Sequence, residues 1–250
     1  PLMSDVNTIT SLLYLSRTVY LISLFAALYL SACTRVHEVY VLETVSQVVQ
    51  RTDVETDQSL DMLRANFDLE RDRWTRTSEV FHHFEGRLFV TATMITPALE
   101  LARTRYHQSA LSLLPSEFNQ LMKQRLDRLK SSYVFFITLS SSDLPKLQKP
   151  NLARDSLVGE DGLEEDFQVH FLVNQRKVTV NKIDPLSFKR AQNLKDDFPF
   201  ISAVKTGYWI SFNRPENLKD DNMKREIHSL ILRFSNPSAT AILPWRVKIQ

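Results

Sequence analysis

The chain has 250 residues, 43% hydrophobic and 24% charged, with a formal net charge of +2. That length and apolar content suffice for one large or two small packed domains. The small net charge argues against a nucleic-acid partner, and a single cysteine excludes an intrachain disulfide.

Residues 19–32, VYLISLFAALYLSA, are a 14-residue run without a charge, with Arg17 before it and Cys33 after it. A positive flank, a short apolar core and a small-residue exit are the parts of a secretory signal. A bilayer-spanning helix needs about 20 apolar residues, and this run is shorter. Leu30, Ser31, Ala32 and Cys33 resemble the lipobox of bacterial lipoproteins, with the chain's one cysteine at the position that motif requires. The resemblance implies a signal peptide over 1–32 and lipid attachment at Cys33. With Thr34 rather than Asp next, it also implies residence on the periplasmic side of the outer membrane. Two readings compete with it: an uncleaved inner-membrane signal anchor, helped by the stretch Ile9–Leu15, and a core helix with an inert cysteine.

Residues 33–78 are expected to hold the lipid attachment and a helical region. Valines 36, 39, 45, 48 and 49 have helical spacing, while 39–42 also suits a short strand. Over 57–73, Leu60, Leu63 and Phe67, with Trp74 just beyond, fall near one face of a helix, with Asp and Arg on the other. From 87 to 95 the period becomes two: Leu88, Val90, Ala92 and Met94 alternate with Arg87, Thr91 and Thr93, the pattern of a half-buried strand. A two-helix insertion over 97–131 follows, with Pro97 early in the first helix and Ser116 a candidate N-cap of the second. Alternation then marks strands at 133–140, 167–173, 178–183, 208–212, 230–234 and 243–249, the second and third joined as a hairpin by NQRK.

Seven strands in all, with no helices between the later ones, predict an α+β fold. Its expected form is an antiparallel immunoglobulin-like β-sandwich over 79–250, with an N-terminal helical region and the two-helix insertion after the first strand, covering one end or edge. The stretch 140–166, acidic over 160–166, reads as a long surface loop, and 185–200 and 214–226 as charged crossovers.

Candidate chemistry is sparse. Glycines 86, 159, 162 and 207 form neither phosphate-binding loop motif, and no GxSxG elbow occurs. His82 and His83, near Glu79 and Glu85, would point to opposite faces of a strand and so could not share a metal ion without a bulge. His170 reads as a solvated strand position, and the pairs Asp196–Asp197 and Asp220–Asp221 as solvated turns. No catalytic residue, metal or cofactor is therefore expected. Trp74, among the arginines of RDRWTR, and Trp209, on the polar parity of its strand, are the candidate interaction residues. For both tryptophans, packing on the sandwich or under a loop is the competing reading.

The expected function is that of a non-enzymatic structural or protein-binding component of the bacterial envelope. Its partners would be the membrane, through the anchor, and an envelope protein. The alternative is a module that binds, or hydrolyses, envelope glycans or lipids.

Overall fold

The computed structural model of the chain describes residues 39–52, 58–82, 85–140, 152–153, 167–202, 205–214, 227–235 and 239–249. Cys33 and the leader, His83, most of 140–166 and 215–226 lie outside the described residues, as do the side chains of His82 and Glu85. In chain order the first elements are β1 (Val39–Leu42), α1 (Val45–Thr52), α2 (Leu60–Trp74), β2 (Thr75–His82), β3 (Glu85–Ile95), α3 (Pro97–Leu111) and α4 (Pro115–Ser131). Next come β4 (Ser132–Ser140), β5 (Leu152–Ala153), β6 (Phe167–Val173), β7 (Arg176–Val178) and β8 (Val180–Pro185). α5 (Phe188–Gln192), β9 (Thr206–Asn213), β10 (Ile227–Ser235) and β11 (Thr240–Ile249) complete the series.

The fold is mixed α+β, with two mainly antiparallel sheets. Sheet A runs β1-β11-β10-β6-β5 with β7 also on β6, and sheet B runs β2-β3-β4-β9-β8. β1 joins β11, and β5 joins β6, in parallel. Leu88, Val90 and Met94 of β3, Phe135 and Ile137 of β4, and Ile210 and Phe212 of β9 meet Phe171, Leu232 and Trp245 of sheet A in one apolar core. These inward residues keep the period of two that their sequence displays.

A second core lies on the other face of sheet B. Val134 and Phe136 of β4 pack there against Phe67 of α2, Leu99 and Leu101 of α3, and Phe118, Met122 and Leu126 of α4. The helices thus lie across a sheet face, not at an end or edge. Apolar residues on both parities of β4 cause this, and eight of its nine residues are buried. For the same reason Thr91 and Thr93, on the expected wet side of β3, are 5% and 0% exposed. The threonine hydroxyls pair across the strands, Thr93 with Thr75 at 2.7 Å and Thr91 with Thr77 at 3.3 Å.

Local signals set the helix ends. Ser59 accepts from the Met62 N–H to start α2, and Thr96 accepts from the Leu99 N–H to start α3, with Pro97 next. α3 stops at Ser112, whose φ of 50° is left-handed. The N-cap of α4 is Leu114 rather than Ser116, and the Glu117 carboxylate accepts from the Leu114 N–H at 2.8 Å. Other departures from the sequence reading concern strands. β2 is an added edge strand that spans a boundary drawn at 78/79. The expected 178–183 strand divides at Thr179: β7 stays with β6 in sheet A, while β8 pairs with β9 in sheet B. Asn174 and Gln175, with φ of 49° and 67°, form the two-residue turn between β6 and β7.

Candidate functional site

Among the described residues, a buried polar cluster sits on the helical layer, around Asp197 in the turns that follow α5. Although 185–200 reads as a charged crossover and Asp196–Asp197 as a solvated turn, Asp197 is only 4% exposed. Arg103 of α3 donates to Asp197 Oδ2 through Nε at 2.9 Å and Nη2 at 2.5 Å. His107, one turn along α3, meets Asp197 Oδ1 through Nε2 at 2.8 Å. On its other side His107 Nδ1 faces Arg125 Nη2 of α4 at 3.4 Å. Because guanidinium only donates, Nδ1 is the acceptor here and Nε2–H donates to Asp197.

Arg125 also donates to Thr104 Oγ1 at 2.9 Å, and that hydroxyl donates to the Glu100 carbonyl at 2.6 Å. The Glu100 carboxylate, 2% exposed, lies 3.4 Å from Arg125 and 3.8 Å from Arg103, and its Oε2 accepts no hydrogen bond from a protein group. From α2, Arg71 donates to the Asp197 carbonyl at 3.5 Å and Arg64 to the Asp196 carbonyl at 2.8 Å. Burial alone would raise the Asp197 pKa. The His107 hydrogen bond and the Arg103 charge outweigh it and hold the carboxyl below its ordinary range. With His107 engaged at both nitrogens and the Thr104 hydroxyl at 0% exposure, the cluster is a clamp that fastens 193–201 to the helices.

A groove of about 210 Å³ opens where the end of β1 meets α1, α2 and α3. Leu63, Ala98 and Leu101 give it an apolar floor, and Arg51, Arg73 and Arg105 stand among its lining residues. Two of these arginines pair with carboxylates, Arg51 with Glu43 and Arg73 with Glu70, the latter at 2.6 Å. Arg105 donates to the Arg51 carbonyl at 2.6 Å.

The two sequence-predicted tryptophans are placed apart. Trp74 is 1% exposed and packs in the core between the sheets, so it is no surface residue. Tyr40 lies 5.7 Å away, ring to ring. Trp209 is half-buried on the helical side of sheet B, 5.0 Å from Phe136 and beneath the Arg128 guanidinium at 5.1 Å. Residues Glu100, Arg103, His107 and Arg125 carried no sequence signal beyond helical spacing. Their i, i+3 and i, i+4 steps along α3 place three of them on one side. No group of three metal-ligating side chains occurs among the described residues, and no helix among them is long and apolar enough to cross a membrane. No model of a known protein family matches the chain, and no curated protein matches it.

Proposed function

We propose that the protein is a lipid-anchored, non-enzymatic component of the bacterial cell envelope, held on the periplasmic side of the outer membrane, where it binds another envelope protein. The observation that carries this reading is the one cysteine of the chain at the end of a 14-residue apolar run, in Leu30-Ser31-Ala32-Cys33. A partner surface suits the helical layer, whose outer side displays Met62 at 55% and Leu69 at 61% exposure. Leu111 and Leu114, at the turn between α3 and α4, add 66% and 62%. Apolar side chains so exposed gain from being covered.

We also infer an immunoglobulin-like arrangement for the strands. The adjacencies β4-β9-β8 and β11-β10-β6-β7 follow the orders B-E-D and G-F-C-C′ of such sandwiches. In this correspondence the helical pair stands between the first two strands of the motif.

Intact mass of the chain extracted from its host's membranes tests the anchor. A species beginning at Cys33 and heavier by acyl chains supports it, while one retaining 1–32 without added mass refutes it. M62K/L69K should abolish a crosslink to the partner without changing the mass added by the acyl chains. A glycan or lipid headgroup as ligand is the second reading, favoured by the groove and its three arginines. Saturable protection of that groove, lost in R105Q, would decide for it.

A further inference from the structure

Among the described residues, no helix packs across the outer face of sheet A. Register places Lys248 beside Val41, Arg246 beside Ser229, and Arg233 beside Ile242. These side chains share the parity opposite to the core residues Val247, Leu232 and Leu243. Lys177 of β7, opposite Leu172, joins the same face. All four cations are exposed. Between them stand Val41 at 46% and Ile242 at 53% exposure. Among the described residues that alternate onto this face, none is acidic. The field is felt locally: burial, then Lys177 and Arg233, lower the pKa of His170 on β6.

We propose that this face of sheet A docks on the anionic headgroups of the membrane to which the chain is tethered. The inference rests on the anchoring at Cys33. Cations attract an anionic bilayer surface, and isolated apolar side chains among them settle at the headgroup boundary. Cations spread over β7, β10 and β11 suit an extended surface better than they suit a groove-filling partner. Chain length adds to the case. β1, at the edge of this sheet, starts six residues after Cys33. Six residues span at most about 20 Å. An acyl chain at Cys33 would therefore hold the edge of the basic face close to the headgroups.

The test uses the acylated chain beginning at Cys33, in which the lipidated Cys33 leaves an introduced cysteine as the one free thiol. Ser229→Cys on the face and Gln124→Cys on α4 each receive an environment-sensitive fluorophore. Each is reconstituted into vesicles of phosphatidylcholine with phosphatidylglycerol, or of phosphatidylcholine alone, carrying nitroxide-labelled lipid quencher. The Ser229→Cys probe is expected to be quenched in the phosphatidylglycerol vesicles, and severalfold less in phosphatidylcholine or high salt. The Gln124→Cys probe stays bright in both. R233Q, R246Q and K248Q should each lower the docked-to-free ratio about fivefold, with the unfolding midpoint retained. Equal quenching of the two probes, or indifference to the charge substitutions, overturns the proposal. So does protection of the face by lipid-free envelope extract without quenching in vesicles, which would assign it to an acidic protein. Intact mass on the same samples separates the two failures: an acylated chain with an unquenched face sinks this inference alone. A chain without acyl mass sinks the anchor reading and this one together.

Discussion

The indole N–H of Trp245, on the last strand, donates to the backbone carbonyl of Trp74 at 3.1 Å, a bond spanning 171 residues. That carbonyl belongs to the last turn of α2, where helical carbonyls lack intrahelical partners. Trp245 is 1% exposed, so water does not replace the donor. W245F keeps an aromatic ring and removes the donation. It should cost about 1–3 kcal/mol in urea unfolding, the desolvation penalty of an acceptor left unpaired.

Asp197 offers a sharper test of the clamp. D197N leaves Arg103 buried with its main counter-charge gone, and should lower stability by about 3–5 kcal/mol. The pH dependence has a definite sign. Because the folded carboxyl has a lowered pKa, the unfolded chain binds more protons in acid. The stabilisation is full above the unfolded value of about 4 and is lost as pH falls through the folded one. Wild type should therefore lose stability below about pH 4 more steeply than D197N. A parallel acid limb in both would remove Asp197 as the cause.

Consecutive residues of β4 enter different cores, Phe135 between the sheets and Phe136 under the helices. Phe136 stacks on Phe198 with ring centroids 4.1 Å apart. F135A and F136A should each cost about 3–5 kcal/mol by chemical denaturation. A strand with one wet face would tolerate one of the two.

Gly207 of β9 has little room beside it. A methyl group there would sit 3.2 Å from Leu186 Cδ1 and 3.7 Å from Phe136 Cζ. Leu186 is buried and must shift to admit it. G207A should lose about 1 kcal/mol, with overpacking exceeding the entropic gain of replacing glycine. Thermal unfolding of G207A and the bulkier G207V should give a graded loss.

Strands facing the inter-sheet core could be read from the chain because that core imposes a period of two, as in Tyr133, Phe135, Ile137 and Leu139. β2 could not, since it mixes Arg76 and Glu79 with Val80 at a sheet edge. The division at Thr179 left no signal either, because Val178 and Val180 are both buried, each in a different sheet. The clamp was hidden for another reason. A charge is read as wet unless its counter-charge is near in sequence, and Asp197 finds Arg103 94 residues away. Arg71, assigned to the wet face of α2, is 7% exposed through its reach to the same segment.

The two-sided burial of β4 also fixes how the protein comes apart. A strand that is the floor of one core and the ceiling of another cannot leave either without opening both. Unfolding of the helical layer and of the paired sheets is thereby linked into one cooperative transition. The slowest amide hydrogen exchange in the molecule should then fall on Val134 to Thr138, whose N–H groups open only when everything around them does.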